Sequence, residues 1–212
     1  MRTTILGTGN FATVDAFNAY YDTPTASHLA AYHAVLVYSW DSFSNTTLLG
    51  DRLADFHDQG GGVVVAYAAN SGNDGGHILR GAYGAADNGY ALLHYASGSN
   101  LDSPDSLGDV LEPQSPLLTG VASLTASNAF RSSAPVISGQ GIVVARWSGG
   151  LPLVVRGMRG NSTLVELNFW PASSGLYSNS WSGDGAALMS NALKYSRCML
   201  CGPGTFSATG EA

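Results

Sequence analysis

Charge is scarce in this sequence: Asp, Glu, Lys and Arg make up 11% of 212 residues, and Lys194 is the sole lysine. An average soluble domain carries about 25%. The nine basic residues are scattered and the net charge is −6. Nucleic-acid binding needs clustered Lys and Arg to displace counterions, so nucleic acid is excluded as a partner. No apolar run approaches the ~20 residues of a membrane span, which excludes membrane insertion by this segment. The stretch Met1-Arg2-Thr3-Thr4-Ile5-Leu6-Gly7 lacks the apolar core of a signal peptide. A secreted chain would therefore carry its signal upstream or have lost it. Cysteine occurs only at positions 198 and 201.

What is present belongs to a globular protein. Hydrophobic residues reach 45%, enough for a real core in one large domain, or in a domain with a tail. The missing charge is replaced by 27 glycines and by many Ser, Thr and Asn. Hydroxyls and amides, not ions, solvate this surface.

The first 90 residues alternate strand and helix signals. Thr3–Leu6 and Val14–Phe17 read as short strands, and Thr25–Tyr32 as a turn or short helix. His33–Trp40 is continuously apolar, the pattern of a central parallel strand covered on both faces. Asn45 stands as an N-cap before Thr46–His57, where Leu49, Leu53 and Phe56 recur at helical spacing. Gly60-Gly61-Gly62 stops that helix and leads into Val63–Tyr67. This βαβ run predicts a right-handed crossover and a doubly wound sheet with both strands buried at its centre.

Residues 70–140 are rich in Gly, Ser, Asn and Asp and read as long loops with short elements over one end of the sheet. Gly141–Trp147 and Leu151–Arg156 flank a Ser148-Gly149-Gly150 turn and predict a hairpin. Ser162–Phe169 predicts a further buried strand, and Asp184–Ser196 a final helix with one apolar stripe.

Several of these words resemble the class I glutamine-amidotransferase-like superfamily, in particular a branch appended to extracellular modules. They are Tyr32–Val37 before a polar turn, the Leu49-Gly50-Asp51-Arg52-Leu53-Ala54-Asp55-Phe56 helix, Gly60–Val65, and Leu167-Asn168-Phe169-Trp170 before a Gly-Asp-Gly-Ala helix. The tail Cys198-Met199-Leu200-Cys201-Gly202-Pro203-Gly204-Thr205-Phe206 resembles the opening of an ephrin-receptor-like cysteine-rich repeat. Such repeats belong to extracellular proteins, so that resemblance implies an extracellular or cell-surface location and further modules as partners.

The amidotransferase resemblance implies a cysteine on the turn after Gly62–Tyr67. Here that turn reads Ala68-Ala69-Asn70-Ser71-Gly72, and no cysteine precedes position 198. The nucleophile is absent, and Ser71 in a Gly- and Asn-rich loop reads as a turn residue. His77 and Asp74 lie at the sheet end where open α/β folds bind ligands. They form an acid–base pair or a metal-binding pair, or else a solvated loop, with the loop favoured. Asp41 and Asn70 border the same candidate crevice. Trp40, Trp170, Trp181 and Tyr67 fall at strand ends, where rings either stack on a glycan or pack as core. Thr8-Gly9-Asn10 does not complete a dinucleotide fingerprint, so no cofactor is expected. His28, His33, His57 and His94 share no metal-ligand spacing, and no residue is assigned to a metal.

Cys198 and Cys201 read as structural disulfides more readily than as a redox pair or half a zinc site. Disulfides imply an oxidising compartment. The sequons Asn45-Thr46-Thr47 and Asn161-Ser162-Thr163 agree with it as glycosylation sites. The expectation is a three-layer α/β sandwich over residues 1–197, with a mostly parallel doubly wound sheet and a late β-hairpin. A C-terminal cysteine-rich arm over 198–212 follows it. The expected function is a non-catalytic structural or interaction domain of an extracellular glycoprotein assembly. The alternatives are a carbohydrate- or small-ligand-binding module and a hydrolase around Asp74 and His77.

Overall fold

The computed structural model describes residues 1–70, 77–85, 88–95, 100–101, 103–127, 130–160, 162–171 and 180–197. Two short helices, α1 (Arg2–Leu6) and α2 (Ala26–Leu29), precede β1 (Ala34–Val37), α3 (Thr46–Asp58) and β2 (Gly62–Ala66). The short α4 (Gly81–Gly84) leads to β3 (Leu93–Tyr95), β4 (Asn100–Leu101) and β5 (Asp105–Val110). Then come β6 (Leu124–Ala126), β7 (Arg131–Ser132), β8 (Pro135–Ile137) and β9 (Ile142–Trp147). The chain continues through β10 (Pro152–Arg159), β11 (Ser162–Leu167) and β12 (Trp181–Gly183) to α5 (Gly185–Tyr195).

The strand–helix–strand unit forms where the sequence places it. Asn45 caps α3 through its side-chain oxygen, which accepts the Leu48 N–H at 2.9 Å. Leu49, Leu53, Ala54 and Phe56 turn inward. After the helix, Gly60 takes φ +92°, a left-handed conformation that glycine adopts at little cost. Helix α3 also presses against the segment before α4, where a Cβ on Gly50 would stand 1.8 Å from the Arg80 carbonyl oxygen.

Alternation along β2 divides the core into two layers. Val63 and Val65 join Leu49, Leu53 and Phe56 on the α3 side. Val64 and Ala66 join Leu188, Met189 and Ala192 of α5 on the other. A strand buried on both faces has this composition, and the three-layer arrangement holds around β1, β2 and β11.

The sheet itself differs from the expected one. Its eight strands run in the order β1-β2-β11-β10-β9-β5-β6-β12. Only β1, β2 and β11 are parallel neighbours, and the other pairs are antiparallel. The mostly parallel, doubly wound expectation is therefore corrected to a mixed sheet. Parallel neighbours need a crossover of a dozen or more residues. The links from β9 to β10 and from β10 to β11 are tight turns, so β9, β10 and β11 can pair only antiparallel. The hairpin expected at Gly141–Arg156 is the β9–β10 pair. Strand β1 is not central: it is the sheet's edge, and its four residues are half-buried.

Three further segments depart from the sequence reading. Thr3–Leu6 is helical within α1, with Ile5 buried against the α5 layer, because a four-residue apolar run has no period that separates strand from helix. Val14–Phe17 is irregular, and Val14 packs on the core. The polar 70–140 region supplies β5 and β6 to the main sheet. The partly exposed positions of β5 tolerate the Ser, Asp and Gly that made this stretch read as loop, and β6 is only three residues long. No cysteine-rich arm is among the described residues, since 198–212 lie outside them.

Candidate functional site at the carboxyl end of the parallel strands

Open α/β sheets bind ligands beyond the carboxyl ends of their parallel strands. In this chain the end is roofed by rings. Trp40 comes three residues after β1 and Trp170 three residues after β11, and their ring centroids are 4.6 Å apart. Strand β2 lies between those two strands. Neighbouring strands are about 4.8 Å apart, so β1 and β11 are separated by about 10 Å. The indoles close that gap by leaning together over the end of β2. Phe130 completes the cluster, 5.2 Å from Trp40 and 6.0 Å from Trp170. Trp170 is 3% exposed and Trp40 45%.

Buried hydrogen bonds fix this roof. The Trp170 backbone N–H donates to the Phe130 carbonyl at 2.9 Å. Asn168, fully buried, accepts the Ser132 N–H at 2.8 Å and donates to the carbonyls of Ser132 and Pro152. Its own carbonyl accepts the Trp147 indole N–H at 3.0 Å. One asparagine thus ties β7, β9, β10 and the chain after β11 together.

Below the roof the turn after β2 is held by a carboxyl. Glu166 sits on β11 with no exposed surface. It accepts the Leu92 N–H at 2.8 Å, the Leu93 N–H at 3.2 Å and the Asn70 side-chain amide at 2.9 Å. Burial pushes its pKa up to about 7, against the pull of those three donors. Tyr83 of α4 lies in the same layer, 1% exposed, and its hydroxyl makes no hydrogen bond. Burial, and then the Glu166 carboxyl, hold the Tyr83 phenol well above its ordinary pKa.

The sequence-predicted residues divide as follows. Asn70 is buried and its amide is engaged on Glu166. His77 is half-buried, and its backbone carbonyl accepts the Ser39 hydroxyl at 3.2 Å, which ties its loop to the end of β1. Asp41 is exposed beside Trp40. Asp74 and Ser71 lie outside the described residues, as do Asn161, Cys198 and Cys201. Thr8 and Asn10 bond to Ser190 of α5. Among the described residues no group of three or more His, Cys, Asp or Glu could hold a metal ion, and no helix is long and apolar enough to cross a membrane. Sequence reasoning passed over Glu166 and Phe130. A lone glutamate inside the apolar run Ser162–Phe169 was the available signal for the first, because a buried carboxyl requires partners.

No family model and no curated protein matches the chain. Solved structures do. A cytoplasmic protein from Salmonella typhimurium LT2 superposes with a TM-score of 0.63 at 16% identity, covering 92% of this chain and 87% of the other. A ThuA-like protein from Bacteroides uniformis matches with a TM-score of 0.60 at 17% identity, over 92% and 82% of the two chains. A second Salmonella typhimurium cytoplasmic protein gives 0.60 at 14% identity, over 86% and 77%. At such identities the likeness establishes fold: these chains share the amidotransferase-like, flavodoxin-like architecture.

These matches overturn the extracellular expectation. Proteins of this fold described as cytoplasmic or ThuA-like stand where secreted, glycosylated assembly domains were expected. The assignment as an extracellular glycoprotein assembly domain is withdrawn, and with it the secreted and disulfide-bonded character. The carbohydrate- or small-ligand-module reading gains no support in its place. Asn45 serves as a helix cap through its side-chain oxygen, and no match supports a cysteine-rich repeat in the tail.

Proposed function

We propose that this chain is a non-catalytic variant of the amidotransferase-like fold, in which the place of the thiol has become a structural joint. The observation that carries the reading is Asn70. The described part of the turn after β2 reads Ala68-Ala69-Asn70, and the Asn70 side chain is buried and bound to Glu166. A nucleophile needs a side chain presented to substrate with a base in hydrogen-bond reach. The described part of this turn, Ala68 to Asn70, presents two methyl groups and an amide that bonds to Glu166 of β11.

The aromatic roof supports the same reading. A reacting carbonyl over β2 would have to enter beneath Trp40, Trp170 and Phe130, whose rings pack on one another across that position. His77 is tied into the crevice by its backbone carbonyl, through Ser39.

Electrophilic probes test this directly. The folded protein should take up no fluorophosphonate at any serine, and iodoacetamide should label nothing before Cys198. Stoichiometric fluorophosphonate labelling of Ser39 or Ser71, abolished by substitution of His77, would show an activated hydroxyl and overturn the reading.

A further inference from the structure

We propose that Asn88-Gly89 is a self-modification site: the fold activates this peptide bond, so that Asn88 loses ammonia and becomes aspartate or isoaspartate. Asn88-Gly89 is the one Asn-Gly pair in the sequence. The atoms that must join, Asn88 Cγ and the Gly89 nitrogen, belong to consecutive residues and close a succinimide ring. Glycine has no Cβ to hinder that approach, and Gly89 holds φ +73° just before the buried Tyr90. Asn88 is exposed, so water reaches its amide.

The activating group is Arg159. Its Nη1 donates to the Asn88 main-chain carbonyl, which shares a peptide unit with the Gly89 N–H. A hydrogen bond from a guanidinium is charge-assisted. It draws electron density out of that peptide unit and stabilises the anion left when the Gly89 nitrogen gives up its proton. That anion is the attacking species. Other contacts hold the guanidinium in place. It lies 3.7 Å from the centre of the Tyr90 ring, and its Nε is 3.5 Å from Asp58 Oδ1. A Cβ on Gly89 would stand 3.6 Å from Nη1, so the cation flanks the reacting residue. On the side chain, Nδ2 donates to the Ala82 carbonyl at 3.1 Å. Asn88 Oδ1 has no hydrogen-bond partner among the described residues and takes up the negative charge facing water.

The Gly89 nitrogen gives its proton to water and bonds to Asn88 Cγ. The departing Nδ2 takes a proton back and leaves as ammonia. Water then opens the ring, at Cγ to give aspartate or at the main-chain carbonyl carbon to give isoaspartate. Nothing is oxidised or reduced. Either product carries a new carboxylate and takes a donor from the Ala82 carbonyl of α4.

Folded protein held at pH 8 and then digested with chymotrypsin tests the site. Cleavage after Tyr83 and Tyr90 gives the peptide 84–90, in which Asn88 is the sole side-chain amide. Mass spectrometry reads the conversion, and chromatography separates aspartate from isoaspartate. Folded wild-type protein should convert about tenfold faster than the same chain unfolded in urea, the factor that a fall of about one unit in the N–H pKa supplies. Arg159→Gln should lose that factor when folded and match the wild type when both are unfolded. Equal rates for the folded wild type and folded Arg159→Gln would overturn the proposal. So would a folded wild type that converts no faster than the unfolded chain, and this comparison decides alone if Arg159→Gln does not fold.

Discussion

Asn70 and Glu166 lie 96 residues apart in the chain and 2.9 Å apart in the fold. One follows β2 and the other sits on β11, so their bond locks the turn on which this architecture elsewhere places its chemistry.

The joint makes stability depend on pH. Glu166 has its pKa raised by burial from 4.5 to about 7. A carboxyl raised in the folded state is held neutral there, so its contribution is complete at low pH and is lost as pH rises from about 4.5 through 7. The loss amounts to about 3 kcal/mol. Urea unfolding between pH 5 and pH 8.5 should show this decline, and Glu166→Gln should flatten it. Glu166→Ala leaves three buried donors without an acceptor and should cost about 3 kcal/mol or more at pH 6.

His57 predicts the opposite slope. It is fully buried, neither ring nitrogen makes a hydrogen bond, and the Gly61 backbone approaches without reaching hydrogen-bond geometry. Burial lowers its pKa from 6.5, with Asp58 pulling the other way. A base lowered in the folded state contributes stability that is present above 6.5 and lost as pH falls. His57→Leu removes the unpaired nitrogens and should raise stability at pH 5 by about 1 kcal/mol, with a smaller gain at pH 8. Thermal melts at the two pH values check the difference. An equal change at both would show that the imidazole does not titrate in this range.

Asn45 acts as a cap, so its replacement should cost helix stability and nothing else. Asn45→Ala removes the acceptor of the Leu48 N–H and should destabilise the domain by about 1 kcal/mol. Asn45→Ser keeps a capping oxygen and should restore most of it. Chemical denaturation of the three proteins measures this, and equal stability of all three would remove the cap from the account.

Much of the α/β body was legible because its signals are local. The Asn45 cap, the Leu49, Leu53 and Phe56 stripe, and the unbroken Val63-Val64-Val65 run each specify their element through near neighbours. The hairpin around Ser148-Gly149-Gly150 is local too. Sheet order is not local. Nothing in Ala34–Val37 distinguishes an edge strand from a central one, because the segment on its far side is set by the rest of the fold. The strand Asp105–Val110 was hidden by polar residues that a partly exposed strand tolerates, and Leu124–Ala126 by its length of three residues. The site was legible in part. The missing cysteine could be read from the chain, whereas the partner of Asn70 is a glutamate 96 residues away. The extracellular reading failed because it rested on a tail of about fifteen residues and on two short sequons. Neither of these constrains the fold of the α/β body.

Glutamine turnover tests the central claim most directly. Purified protein incubated with glutamine, with ammonia release followed by a coupled assay, should give the rate of buffer alone. Asn70→Ala and His77→Ala should leave that rate unchanged. Release of ammonia above the buffer rate by the wild-type chain, abolished by either substitution, would contradict the account and place an active site where this structure has a joint.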